Sequence, residues 1–304
     1  MAPETAKNNP QLERVMNEYR ELARTAREAK SPAEVRAALD QYFGAFPSAA
    51  TVKCEPVSAG GVKAEWISAT NANRDRVILY VHGGGYAAGS IASHRELVAR
   101  LSKAAEARCL SVDYRLAPEH PFPAAVEDAT AAYRWLLENQ HCRPERIAIA
   151  GDSAGGGLAV ATLVALRDGR TPLPAAAACI SPWVDLEVTG GTADSNAELD
   201  PLVSREVLQM FTQMYLGDRD PRTPLASPLY ADLRGLPPML IQVGSGETLL
   251  DDARRLTERA RAAGVTAELE VWPDMPHVWH WCAPVLDDGQ RAIERIGAFV
   301  RQRT

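Results

Sequence analysis

The sequence predicts an α/β fold: a mostly parallel central sheet flanked by helices, with a helical cap. Two observations carry this. From about residue 62 onward, short apolar runs alternate with amphipathic stretches, the pattern of strands joined by crossover helices. Two regions then break that rhythm, a charged helical N-terminus and an irregular stretch at about 183–225. The 304 residues, 46% of them hydrophobic, suffice for one large core.

Residues 1–10 are expected to be disordered, and Gln11 to Lys30 reads as a charged helix. Ser31-Pro32-Ala33-Glu34 is a helix start: Ser31 can cap, Pro32 suits the first turn, and Glu34 completes a capping box. Val35, Ala38, Leu39, Tyr42 and Phe43 follow at helical spacing and form one apolar face. Because these helices precede the first β signal, residues 1–45 are expected as a separate layer, the N-terminal part of the cap. Residues 46–304 are expected as the catalytic domain.

Strands are predicted at Val77–Val81, Cys109–Asp113, Arg146–Ala150, Ala175–Ser181, Met239–Val243 and Ala267–Trp272. Helices are predicted at Ser93–Ala107, Ala124–Asn139, Ala154–Arg167, Leu250–Ala263 and Asp288–Arg301. The stretch 183–225 lacks a clear strand and ends in a helix from Ser204 to about Leu216. An insertion this long is usually functional, and it reads as a lid completed by the N-terminal helices.

Composition narrows the partners. A formal net charge of −6 argues against nucleic acid or an anionic membrane surface. No apolar run approaches the ~18 residues of a membrane span, and the N-terminus lacks the apolar core of a signal peptide. The five cysteines are scattered without a CxxC pair, which points to free thiols in a reducing, cytoplasmic setting.

The strongest chemical signal is Gly151-Asp152-Ser153-Ala154-Gly155-Gly156, between a strand and an Ala/Leu-rich helix. This is Gly-x-Ser-x-Gly in the strand–turn–helix context that makes it a nucleophile elbow, and it narrows the prediction to the α/β-hydrolase fold. The turn is so sharp that side chains two positions before and after Ser153 would clash, and glycine at 151 and 155 removes the clash. A phosphate loop is the rival reading, but the spacing fits neither GxGxxG nor the Walker pattern.

His82-Gly83-Gly84-Gly85-Tyr86 follows the strand Val77–Val81. Its glycines let backbone N–H groups approach a substrate oxygen, so Gly83 and Gly84 are expected to form an oxyanion hole with Ala154. His82, at the strand end, is expected to order this loop.

The chain order of this fold is Ser, acid, His, which excludes His94, His120 and His141 as the base. His277 and His280 remain, and His277 lies nearer the last strand. The two could instead form a metal pair, but no HExxH and no third ligand accompanies them, and no metal or cofactor is expected. For the acid, Glu247, Asp251 and Asp252 compete after Met239–Val243. The two aspartates suit the start of a helix, whereas Glu247, in a loop, can turn toward His277. Tyr86, Asp152, Trp183, Val278 and Trp279 are candidate substrate-binding residues, with core packing as the competing reading for the aromatic and aliphatic ones.

These motifs resemble those of the bacterial hormone-sensitive-lipase family of esterases. The resemblance runs from about Val77 to Phe299 and includes Asp113-Tyr114-Arg115-Leu116-Ala117-Pro118-Glu119 and His120-Pro121-Phe122-Pro123-Ala124-Ala125. It implies a serine carboxylesterase with a helical cap, acting on small, short-chain esters through an acyl-enzyme. The family's common Asp-Pro-Leu at the acid is here Glu247-Thr248-Leu249. This resembles a subgroup that uses Glu and leaves Asp251 as a rival.

Lactones, carbamates or amides would be served by the same residues. A non-catalytic receptor, as in plant proteins of similar fold that bind a hormone, is disfavoured because such proteins lose the histidine that His277 supplies. Activity is expected to fall below about pH 6 as His277 protonates. The expected partner is a small-molecule ester, and a homodimer stays open.

Overall fold

The computed structural model describes residues 9–46 and 51–304. Its centre is an eight-stranded sheet. The strands are β1 (Val52–Ala59), β2 (Val62–Ala69), β3 (Asn73–Val81), β4 (Ala107–Val112), β5 (Ile147–Asp152), β6 (Ala176–Ile180), β7 (Met239–Gly244) and β8 (Ala267–Trp272). They are ordered β1-β2-β4-β3-β5-β6-β7-β8. The first two pairings, β1 with β2 and β2 with β4, are antiparallel; every later one is parallel.

The antiparallel pair β1–β2 is absent from the sequence reading. Its turn, Gly60-Gly61, has φ of 64° and 92°, the two positive values that a tight hairpin needs and glycine supplies cheaply. That dipeptide was the available signal. It was masked because β1 is an edge strand carrying Lys53, Glu55 and Pro56, with only Ala59 buried.

The helices are α1 (Pro10–Glu28), α2 (Pro32–Gly44), α3 (Ile91–Ala105), α4 (Ala124–Glu138), α5 (Ala154–Asp168), the short α6 (Thr192–Ser195), α7 (Arg205–Leu216), α8 (Leu250–Ala262) and α9 (Asp287–Arg303). Strand alternation sends side chains to two cores. Val77, Leu79 and Val81 belong to one core with Tyr133 of α4, Leu158 of α5 and Leu256 of α8. Ile78 and Tyr80 belong to the other, with Leu101 of α3 and Ile293 and Val300 of α9.

The expected disorder over residues 1–10 falls, for 1–8, outside the described residues. Helix α1 already begins at Pro10, capped by Asn9, whose Oδ1 accepts the N–H groups of Gln11 and Leu12 at 3.0 and 3.2 Å. Ser31 caps α2 by accepting the Glu34 N–H at 3.3 Å, but Glu34 reaches past the cap to the N–H of Lys30 at 2.8 Å.

The N-terminal helices are not a separate layer. Val15, Tyr19 and Leu22 of α1 enter the α3–α9 core, and Phe43 of α2 lies 4.0 Å from Trp281, ring to ring. Val35 and Leu39 stay half-buried because they border the cavity described below. No helix among the described residues is long and apolar enough to cross a membrane.

Ile78 is fully buried in a central strand. Ile78→Ala should therefore cost about 2–5 kcal/mol, read as a lowered midpoint in urea unfolding.

Candidate active site

Parallel strands end at the same edge of a sheet, so the segments after β3, β5, β7 and β8 converge there. The turn from β5 into α5 holds Ser153 at φ 53°, ψ −122°, an uncommon conformation for a non-glycine residue. Its N–H donates to the Ile180 carbonyl at 2.8 Å, and its carbonyl accepts the Trp183 N–H at 2.9 Å. A Cβ at Gly151 would strike the carbonyl oxygens of Gly155 and Val81. One at Gly155 would strike those of Val81 and His82. Both glycines are thus required by backbone-to-backbone approach.

Ser153 Oγ lies 2.9 Å from His277 Nε2, and His277 Nδ1 lies 2.9 Å from Glu247 Oε2. The other carboxylate oxygen of Glu247 accepts the Ser181 hydroxyl at 2.7 Å and the Gly244 N–H at 2.6 Å. Glu247 is fully buried. Burial raises its pKa, only partly opposed by its bond and charge interaction with His277. For His277, burial acts downward, but the bond to Glu247 and the charges of Glu247, Asp200 and Asp152 outweigh it and leave the imidazole above its ordinary 6.5.

The rival carboxylates are committed elsewhere. Asp251 Oδ2 accepts the Thr192 N–H at 3.1 Å. Asp252 Oδ2 accepts the N–H groups of Val184 and Asp185 at 2.9 and 3.0 Å. Burial, aided by the Asp185 charge, pushes Asp252 up to about 7. Both tie the insertion to α8, and neither bonds His277. His280 is buried against Gln242 Oε1 at 2.8 Å, and burial pushes it down to about 3.

The glycine loop corrects one expectation. Gly83 has no spare N–H, because it donates to Asp152 Oδ1 at 3.0 Å. The backbone N–H groups of Gly84, Gly85 and Ala154 carry no partner among the described residues. The N–H groups left open on the loop therefore begin one residue further along than expected. Gly84 and Gly85 have φ of 108° and 62°, and a Cβ on Gly85 would meet the Phe211 ring of α7. The motif offered no way to see which glycine Asp152 would occupy.

Asp152 is itself corrected as a substrate-binding residue. Fully buried, it accepts the Tyr80 hydroxyl at 2.6 Å and approaches His94 Nε2 at 3.2 Å. Burial would raise it, but His94 and Tyr80 more than offset that and hold it low. As the residue before Ser153, it fastens the glycine loop to the elbow. His82 has the loop-ordering surroundings expected of it: its ring stacks on Tyr114 at 4.3 Å, and burial with the neighbouring His94 pushes it down to about 3.

A cavity of about 700 Å³ borders Ser153 and His277. Leu22 and Ala26 of α1, Leu39 of α2, and Leu208, Phe211 and Met214 of α7 line it, with Trp183 and Trp281. Of the candidate walls, only Trp183 lies there. Tyr86 stacks on Tyr215 at 3.9 Å. Val278 is buried, donating to Ser181 Oγ at 3.2 Å. Trp279 is buried against Trp272 and His280. For these three the core reading prevails. The walls supplied by α1, α2 and α7 were missed because their apolar residues read as ordinary helix faces.

A glutamate, a histidine and a serine in hydrogen-bonded series at a strand-to-helix elbow are the arrangement of serine hydrolases built on an α/β sheet. Residues 78–281 match the family model for the alpha/beta hydrolase fold. The chain is 52% identical over 269 residues to an acetyl-hydrolase of Streptomyces hygroscopicus, covering 88% of this chain and 89% of that protein. It is 36% identical over 270 residues to an esterase of Acinetobacter venetianus, covering 88% of each. It superimposes with a TM-score of 0.95, at 53% identity, on the crystal structure of an esterase from the bacterial hormone-sensitive lipase family, covering 97% of this chain and 99% of that one. The chain belongs to the α/β-hydrolase family, in its bacterial hormone-sensitive-lipase branch.

Proposed function

We propose that this protein is a serine carboxylesterase that hydrolyses small carboxylic esters through an acyl-enzyme. The observation that carries the reading is the unbroken series Glu247–His277–Ser153, beside three backbone N–H groups without a partner among the described residues. Relatives named esterase and acetyl-hydrolase support the same chemistry. In this reading His277 removes the Ser153 proton as Oγ attacks the ester carbonyl. Glu247 orients the imidazole and stabilises its charged form. The N–H groups of Gly84, Gly85 and Ala154 take the developing oxyanion. His277 then protonates the leaving alcohol, and water frees the acid by the reverse route.

The apolar helices α1, α2 and α7 around the cavity support a cap formed by residues 1–45 and the 183–225 insertion. The relative named acetyl-hydrolase favours short acyl chains, and the five free cysteines support a reducing compartment such as the cytoplasm.

Ser153→Ala should abolish hydrolysis of p-nitrophenyl butyrate and its acylation burst; a burst surviving in that variant overturns the assignment. Glu247→Gln should lower kcat by about 10²–10⁴-fold, while Asp251→Asn stays near wild type. The reverse order in a steady-state comparison would make Asp251 the acid.

The base must be neutral to act. Because His277 is raised above 6.5, kcat/KM should fall toward acid with a midpoint above that value, higher than the sequence alone suggested. A flat profile from pH 5 to 8 would exclude a histidine base. Across a p-nitrophenyl ester series the rate should fall once the acyl chain outgrows the cavity, and a maximum on palmitate would refute the short-chain preference.

A further inference from the structure

We propose that Asp200, carried on the insertion, is a positioning residue for the Glu247–His277 pair, holding the acid loop in place from the cap side. The proposal rests on the esterase reading and adds a residue that neither touches substrate nor belongs to the Ser–His–Glu series.

Asp200 is 4% exposed, and its carboxylate accepts at four donors. Oδ1 takes the N–H groups of Leu202 and Val203 at 3.1 and 3.0 Å. Oδ2 takes the N–H of Thr248 at 3.1 Å and its hydroxyl at 3.4 Å. Thr248 directly follows Glu247, so one carboxylate joins the start of the cavity-lining segment to the acid loop.

Two more side chains of the insertion hold the same loop. Asn196 Nδ2 donates to the carbonyls of Ser245 and Glu247 at 3.1 and 2.9 Å. The Thr192 hydroxyl donates to the Thr248 carbonyl at 2.8 Å. The sheet body fixes the Glu247 carboxylate through Ser181 and Gly244, whereas the insertion fixes the backbone on either side of it. A shift of the loop would lengthen the Glu247–His277 bond, and misplacements near 1 Å can cost about 10²-fold in rate.

Asp200 also acts by charge. The groups that act on His277 are Glu247 on the acid loop, Asp200 on the insertion and Asp152 at the elbow; His280, on its own loop, is neutral near pH 7. Burial raises Asp200 itself, opposed by the His277 charge and the three backbone donors. Removing its charge withdraws support from the imidazolium, so His277 would stay neutral to lower pH.

The test is kcat, KM and the pH profile of kcat/KM on p-nitrophenyl butyrate, for wild type, Asp200→Asn, Asp200→Glu and Asn196→Ala. Asp200→Asn should lower kcat by about 10–100-fold with KM within about twofold, and move the acidic limb to lower pH. Asp200→Glu should return the limb toward wild type. Asn196→Ala, which breaks two loop tethers without removing charge, should lower kcat and leave the limb in place. An unmoved limb in Asp200→Asn, or wild-type kcat in either Asp200→Asn or Asn196→Ala, overturns the proposal. Should Asp200→Asn not fold, Asn196→Ala alone decides, because that side chain is half-exposed and its loss leaves both cores intact. An active Ser153→Ala variant would instead overturn the esterase reading itself.

Discussion

A carboxylate with no solvent contact has to be satisfied entirely by protein groups, and Glu247 imposes that demand on the whole site. One oxygen is spent on Ser181 and Gly244, which leaves the other for His277. With Nδ1 so engaged, Nε2 faces Ser153. The partners come from different strand ends: Ser181 after β6, Gly244 at the end of β7, His277 after β8. The parallel register brings them to one edge, with Ile180 beside Gln242 and Gly244 beside Trp272. Displacing any of these strands would leave a buried charge unpaired, a fault that costs several kcal/mol.

A second buried carboxylate repeats the logic on the other side of Ser153. Asp152 precedes Ser153 and binds Tyr80, His94 and the Gly83 N–H. The elbow and the glycine loop are thereby locked to each other, and the N–H groups of Gly84 and Gly85 stay open among the described residues. Another buried carboxylate, Asp200, belongs to the insertion. The insertion is therefore tied to the Glu247–His277–Ser153 series beneath it, and α1 is tied there too, since the Tyr19 hydroxyl donates to the carbonyl of Val278 next to His277 at 3.3 Å.

The parts legible in the sequence were those set by local sterics and periodicity. The six parallel strands and their helices follow from apolar runs between amphipathic segments. The hairpin β1–β2 escaped because an edge strand buries little, so its alternation is diluted by Lys53, Glu55 and Pro56. The α2 face of Val35, Leu39 and Phe43 was visible as apolar, but periodicity cannot tell a face that meets a core from one that borders a cavity.

The sequence by itself marked Ser153 as the candidate nucleophile, through Gly-x-Ser-x-Gly spacing between a strand and a helix, although the backbone collisions that demand Gly151 and Gly155 come in large part from Val81 and His82 at the end of a neighbouring strand. It also narrowed the candidate base to His277 and His280 through chain order, with His277 favoured as the nearer to the last strand. Only the tertiary structure decided which of Glu247, Asp251 and Asp252 faces His277, which glycine N–H groups remain free, and which apolar residues border the cavity. Each of those outcomes depends on which distant group has already claimed a hydrogen bond or a packing face. Thr192, Val184 and Asp152 made those claims across dozens of residues, where no spacing rule reaches.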